Sequence, residues 1–405
     1  MPEVVGTKKS VGWTTVAFGD VVRQVKDKVD PQDSGLDRFV AGEHMDTDDL
    51  RLRRWGEIGV GYLGPAFHMR FKPGHVLYGS RRTYLRKVAV ADFEGITANT
   101  TYVLESAEPK VLLPELLQFI MQTDAFNEHS VRESRGSVNP YVNFSDLAWF
   151  EFNLPPTQVQ ARIVEVLRAA LNTKNRVGDA IYAASQVVTA KLHSAFPVDP
   201  HEPEAMLLGE AVELGKIQLK TGPFGTVLAA SEYRDSGWPI VNPTEMKNGM
   251  IVHNGGPHVD DETASRLETY RLQKGDVLLA RKGDFSKAIL ASEEHAGWVA
   301  GSDTIRLRLR SDDFLPEYLY FCIRSPQAKR VLMSHSHGTV MPGLNEKILG
   351  SVPIQRRDKS AQLEVVRFVG MCLSSVRSLL EHENECEQFF RSVLRHSLGM
   401  SGVVL

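Results

Sequence analysis

The stretches "FKPGHVLYGSRRTYLRKVAVA" (residues 71–91) and "LQKGDVLLARKGDFSKAILAS" (residues 272–292) are two versions of one pattern. Gly74 pairs with Gly275 and Val76-Leu77 with Val277-Leu278, at a constant offset of 201. The match continues where chance would lose it. "LLPELLQFIMQTDAF" (112–126) aligns with "FLPEYLYFCIRSPQA" (314–328), and "GSVNPYVN" (136–143) with "GTVMPGLN" (338–345), pairing Asn143 with Asn345; Gln160 and Gln362 keep the register. An offset of half the chain, held over roughly ninety residues, means two copies of one unit, because solenoid and propeller repeats have far shorter periods.

Each copy runs through the same textures. Short apolar and β-rich runs such as "KVAVADFEGITANTTYVLE" and "GSDTIRLRLRS" are broken by Gly, Pro and Asn, as strands and turns require. A helix follows, opened by Pro114 and Pro316 at a first turn, where a missing N–H costs nothing. Last comes a long helical stretch, 157 to about 195 in the first copy and 358 to about 398 in the second, with no internal Pro.

In these stretches Ile163, Leu167, Leu171 and Ile181, and likewise Val369, Leu373 and Leu380, recur at helical spacing. More than thirty residues at 1.5 Å rise span on the order of 50 Å, longer than a small domain needs. An apolar stripe on so long a helix usually meets another helix, and the repeat supplies one. The expected fold class is α+β: two repeated α/β domains, each followed by a long α-helix, with the two helices packing as an antiparallel coiled-coil spacer. The alternative is that each helix folds back on its own domain. The boundaries read as residues 1–155, 156–198, 199–356 and 357–405.

The composition, with 24% charged residues, 42% hydrophobic residues and a formal charge of −3, is that of a globular chain rather than a disordered or fibrous one. Cys322, Cys372 and Cys386 are odd in number and lack C-x-x-C spacing, which suits reduced thiols. The start "MPEVVGTKKSVGW" lacks a signal-peptide core and no apolar run approaches ~18 residues, so a cytoplasmic, non-membrane protein is expected.

Catalytic signatures are weak. Asn139-Pro140-Tyr141 resembles the Asn-Pro-Pro-Tyr signature of amino-methyltransferases with one Pro missing and no glycine-rich methyl-donor turn upstream. His335-Ser336-His337 could share one strand face as metal ligands, but the first copy has Glu133-Ser134-Arg135 there and a solvated loop is the plainer reading. "KTGPFGT" (220–226) lacks the length and the Gly-Lys-Ser/Thr ending of a phosphate loop. No cofactor, metal or catalytic residue is assigned.

Charge placement is more telling. From Ile58 to Ala91 there is no Asp or Glu, yet the window carries Arg70, Lys72, Arg81, Arg82, Arg86 and Lys87. Basic side chains interleave with aromatic and amide groups, as duplex DNA recognition requires: Lys and Arg for phosphates, Arg and Asn for base edges. The candidate DNA-binding residues are Arg81, Arg82, Tyr84, Arg86, Lys87, Ser137, Asn139 and Tyr141 in the first copy, and Lys220, Thr221, Phe224, Arg281, Lys282, Lys287 and Thr339 in the second. A charge cluster such as "RLRRW" (51–55) is more often a solvated face.

The segments "FVAGEHMDTDDLRLRRWG" (39–56), "KPGHVLYGSRRTYLRKVAVADFEGITAN" (72–99), "LPPTQVQARIV" (154–164), "KTGPFGTVL" (220–228) and "LQKGDVLLARKGD" (272–284) together resemble the specificity subunit of Type I restriction-modification systems and the related recognition domains of fused restriction enzymes. The resemblance covers essentially the whole chain, and the duplicated order of motifs is its most specific part. It implies two target recognition domains, each reading half of a split double-stranded DNA site. It also implies paired helices that space the domains and dock methyltransferase subunits, two in number, and a chain with no activity of its own, cleavage belonging to restriction/translocase subunits.

"GSRRTYLRK" becomes "ARKGDFSKA" in the second copy, so the resemblance implies different half-sites and an asymmetric target. Two other readings stay open: a recognition subunit borrowed by another defence complex, and a protein-binding scaffold with two β-rich modules.

Overall fold

The computed structural model describes residues 12–197, 205–247, 249–282, 287–334 and 343–398. The chain divides into two compact units, residues 1–178 with 381–405, and residues 179–380. Each unit is therefore built around one sequence copy, but neither long helix belongs wholly to one unit.

In the first unit a four-stranded sheet has the order Val22–Gln24, Thr101–Ser106, Val76–Gly79, Val88–Val90, and the second unit repeats it as Ile217–Thr221, Thr304–Leu309, Val277–Ala280, Ala288–Leu290. All of these neighbours are antiparallel, with Val76 opposite Leu104 and Val277 opposite Leu307. The continuous apolar runs "VLY" and "VLL" are explained by burial on both faces. Val76 and Tyr78 enter one core with Phe126, while Leu77 enters another with Phe71 and Ala89. Val277 and Leu279 enter one core with Tyr318, while Leu278 and Ala280 enter another with Met246. The period of two along a strand sends alternate side chains to opposite faces, so one short run serves two cores.

A second sheet in the first unit has the order Gly56–Glu57, Arg38–Val40, Gly95–Ala98, Phe67–Phe71, with Arg38–Val40 parallel to Gly95–Ala98. Its counterpart keeps the parallel pair, Trp238–Val241 with Val299–Ala300. Pro114 and Pro316 each stand at the first turn of a helix, Pro114–Ile120 and Pro316–Ile323, whose apolar residues cover the principal sheet.

The long helices run from Thr157 to Ala195 and from Lys359 to Leu398. In the first unit Ile163, Leu167 and Ala170 share a core with Phe390, Leu394 and Leu398; in the second, Val188 and Leu192 share one with Val365 and Val369. Each unit is thus completed by the start of its own helix and the end of the other. Within the first unit the partners run in opposite directions, Lys174 meeting Glu387 (2.5 Å) while a Cβ on Gly178 would lie 3.2 Å from Glu383. Within the second, Lys191 meets Glu364 (3.1 Å) and Arg357 donates to the Ala195 carbonyl (3.0 Å), again antiparallel.

The helix candidates differ in how far they are covered. Leu167 and Val369 are fully buried, each in a core that also holds residues of the other long helix, Ile163 is buried with Leu167, and Leu171, Ile181 and Leu373 are partly covered. Among the helix candidates, Leu380 alone is largely exposed, at 42%. No helix of the described residues is long and apolar enough to cross a membrane.

Candidate nucleic-acid interface

Two segments about fifty residues apart in the first copy are joined into one surface. Beyond the strand Val76–Gly79 the chain enters a 3-10 turn, Thr83–Leu85, bracketed by Arg82 and Arg86, both in the left-handed region (φ +51° and +49°). Non-glycine residues adopt this conformation at a cost of order 1 kcal/mol or more each, so the surroundings must hold them there.

They do. The Arg82 backbone N–H donates to the Pro140 carbonyl (2.6 Å) and its Nε to Asn139 Oδ1 (2.8 Å). Arg81 forms a β-bridge with Tyr141 and its guanidinium lies 5.5 Å from that ring. Thr83 and Ser134 hydroxyls meet at 2.8 Å, and Val142 N–H donates to Ser80 O. The sequence candidates Arg81, Arg82, Asn139 and Tyr141 are thereby brought together, with Tyr84 in the same turn, and all of these and Ser137 are exposed. Tyr84, at the tip of the bracketed turn, is 53% exposed.

Arg86 departs from its expected role. Its Nε donates to Asp48 (2.7 Å), one terminal nitrogen to Asp124 (3.0 Å) and the other to the Gln122 carbonyl (2.6 Å), with only 16% of the side chain exposed. A guanidinium committed to two carboxylates and a carbonyl braces the turn within the chain. Lys87 donates to the Gly42 carbonyl.

The second unit repeats the plan with other side chains. Lys282 forms the bridge equivalent to Arg81, with Gly343 in place of Tyr141, and Leu344 N–H donates to the Arg281 carbonyl. Lys282 pairs with Asp303 (3.0 Å), an acid where the first copy has Thr100. Arg281 lies 5.7 Å from the ring of Phe224, which is 60% exposed. Lys220 sits over Tyr270 (4.4 Å) and donates to Thr269, and Thr221 donates to Glu346 (3.1 Å). Lys287 donates to the Pro243 carbonyl (3.3 Å), as Lys87 does to Gly42. Thr339, with His335 and His337, lies outside the described residues.

An acid outside the sequence candidates holds the first turn in place. Asp48, itself left-handed (φ +54°), accepts from Arg86 and from Arg391 (2.9 Å), a residue of the second long helix. The signal was available in the repeat, where the equivalent position is Gly249 (φ +77°).

Three histidines share one motif. Nδ1 of His44, His75 and His295 accepts the backbone N–H of the residue three positions earlier, Ala41, Lys72 and Ser292, each at 3.1 Å. An accepting Nδ1 must be unprotonated, and burial lowers the pKa of all three below the ordinary 6.5. The unfolded chain therefore binds more protons below about pH 6.5, and stability present above that pH falls as acid reaches the lowered native values. The thermal midpoint is expected to drop between pH 7.5 and 5.5. Replacing the three by Asn, which can accept the same bond without titrating there, should flatten that dependence.

Among the described residues no group of three or more His, Cys, Asp or Glu could hold a metal ion. A family model described as "Type I restriction modification DNA specificity domain" matches residues 10–181 and 213–369. None of the curated protein sequences matches this chain. Among solved structures, the Type I restriction-modification S subunit from M. genitalium is 14% identical with a TM-score of 0.57, over 98% of this chain and 99% of that one. A chain solved in work on assembly and conformational transition of the type I R-M system is 17% identical with a TM-score of 0.53, over 97% and 99%. At such identities the likeness speaks for the fold, and the two-copy family match, covering most of the sequence, speaks for descent. This chain belongs to the Type I restriction modification DNA specificity domain family.

Proposed function

We propose that this chain is the non-catalytic, sequence-specific double-stranded DNA recognition subunit of a Type I restriction-modification complex, acting in the cytoplasm. It reads a bipartite asymmetric site, one half with each unit. It directs partner methyltransferase subunits and restriction/translocase subunits to that site, with the long helices as the antiparallel coiled-coil spacer. The observation that carries this reading is the face on which Arg81, Arg82, Tyr84, Asn139 and Tyr141 are gathered from two distant segments, with a counterpart around Phe224, Arg281 and Lys282.

A planar guanidinium suits bidentate reading of guanine and an amide suits adenine, while the flanking cations suit phosphates. The differences between the faces, Tyr141 against Gly343 and Thr100 against Asp303, support two unlike half-sites. The deciding experiment is co-purification of the chain with a methyltransferase partner, followed by sequencing of modified bases in cells with and without the gene. A split motif modified only when the gene is present is the expected result; a chain that purifies alone and leaves modification unchanged overturns the reading.

Arg82→Ala gives a finer check. If Arg82 neutralises a phosphate, the slope of log K against log salt should fall by about 1 for all sequences; if it reads a base, discrimination at one position should fall by roughly 1–3 kcal/mol. Affinity titrations across salt on target and scrambled duplexes separate the two.

A further inference from the structure

Asp48 occupies a backbone conformation that glycine fills at no cost, and the second copy uses glycine there. The correspondence is fixed by the parallel strand pairs: Val40 pairs with Thr97 and Val241 with Ala300, the buried Met45 and Met246 follow at equal distance, and then Asp48 and Gly249. The first copy thus accepts a left-handed aspartate where the fold does not need one, which directs attention to its carboxylate.

That carboxylate is divided between two arginines of different origin. Oδ1 takes the Nε of Arg86 at 2.7 Å, and Oδ2 takes Arg391 at 2.9 Å. Asp124 repeats the bridge, 3.0 Å from Arg86 and 3.8 Å from Arg391. Arg391 is fixed in turn by Glu387 (2.7 Å), which also holds Lys174 (2.5 Å), whose ammonium lies 3.4 Å from the Asp48 carbonyl. Arg86 closes one end of the turn that displays Tyr84, Arg82 closes the other against Asn139 and Pro140, and the Asp48 N–H itself donates to the Arg86 carbonyl. The acids and bases are matched, three carboxylates to three cations, in a site where each side chain is at most 38% exposed.

We propose that Asp48 is a positioning residue for DNA reading, its carboxylate tying the Arg82–Arg86 turn to the C-terminal part of the second long helix and holding the first recognition face in its reading geometry. This rests on the proposed DNA-recognition function and adds to it a defined mechanical link between one recognition face and the helix pair. The second unit, with Gly249 at this place, lacks the equivalent carboxylate.

The test uses the full chain co-purified with its methyltransferase subunits, and duplexes carrying the site found by modified-base sequencing, intact or scrambled in one half or the other. Asp48→Gly relieves the backbone and removes the carboxylate; Arg391→Gln removes the helix partner. Both should lower discrimination at one and the same half-site by about fivefold or more, the lower range of measured couplings between sites. Discrimination at the other half-site, measured on the same preparation, should stay within the wild-type value and so reports intact folding. The double variant should lose no more than either single one, as members of one linkage do. Unchanged discrimination in Asp48→Gly, or equal loss at both half-sites, overturns the proposal. A wild-type complex that discriminates at neither half-site overturns the DNA-recognition reading itself.

Discussion

Asp276→Ala is expected to destabilise the second unit by about 3–5 kcal/mol, the range for a buried ion pair broken on one side. Asp276 is 1% exposed and is the only acid facing two arginines of the neighbouring strand among the described residues. Arg308 grips it with two bonds of 2.7 Å, and the Gln273 N–H adds a third at 2.7 Å. Arg306, 2% exposed, lies with Nε 4.0 Å away and donates instead to the carbonyls of Thr269 and Arg271. Burial already pushes the Arg306 guanidinium down to about 10, with Arg308 adding repulsion and Asp276 opposing both. Removing the carboxylate therefore leaves two like charges with no acid beside them.

Chemical denaturation followed by hydrogen exchange in the strands Val277–Ala280 and Thr304–Leu309 measures the loss. Asp276→Leu combined with Arg306→Leu and Arg308→Met should recover only part of it, because apolar replacements remove the desolvation cost along with the attraction but leave the Gln273 N–H and the Thr269 and Arg271 carbonyls without these partners. If Asp276→Ala proves neutral, the charges are solvated and the buried-pair account fails.

The corresponding place in the first unit carries His75 opposite Glu105, 3.5 Å apart, so the same cross-strand position holds acid-then-base in one copy and base-then-acid in the other. Such an inversion is invisible to a comparison that aligns similar residues. It becomes visible only when strand register fixes which residues face each other, and this marks the boundary of what the sequence discloses.

The repeat, the sheet runs and the long helices were legible because they depend on local periodicity and on a pattern written twice. Which half of each helix belongs to which unit was not legible, since that follows from contacts far apart in the sequence, such as Phe119 with Phe390 and, 173 positions apart, Lys191 with Glu364. At the candidate face, residue type nominated Arg81, Arg82, Arg86 and Asn139 alike and could not show that the Arg86 guanidinium is bonded to two carboxylates and a carbonyl. An arginine that braces a loop and one on an exposed face have the same letter, and the partners Asp48, Asp124 and the Gln122 carbonyl separate them.

Gln362→Leu is expected to cost roughly 3 kcal/mol, because it would leave three part-buried backbone groups without this partner, at the lower end of about 1–3 kcal/mol each. Gln362 is fully buried near the start of the second long helix; its Oε1 accepts from Leu315 N–H (2.8 Å), and its Nε2 donates to the carbonyls of Asp313 (2.7 Å) and Arg357 (2.8 Å). Gln160 does the same in the first unit, with Leu113 N–H (2.9 Å) and the carbonyls of Val111 (2.7 Å) and Pro155 (2.8 Å). In both copies one amide joins the turn before the Pro-initiated helix to the turn before the long helix, which fixes the angle at which the long helix leaves its domain. An amide alone suits the task, since it presents one acceptor and two donors in a plane.

Gln362→Glu tests that point: the carboxylate still accepts from Leu315 but faces two carbonyl oxygens, so it should be at least as damaging near neutral pH and should partly recover as acid protonates it. Gln160→Leu should match Gln362→Leu, because the partners are the same in kind and number. Denaturant midpoints for the three variants, read with helix-start hydrogen exchange, decide the matter. A Gln362→Leu protein within 0.5 kcal/mol of wild type, the ordinary range for surface changes, would mean that water replaces the amide and that the helix angle is set elsewhere.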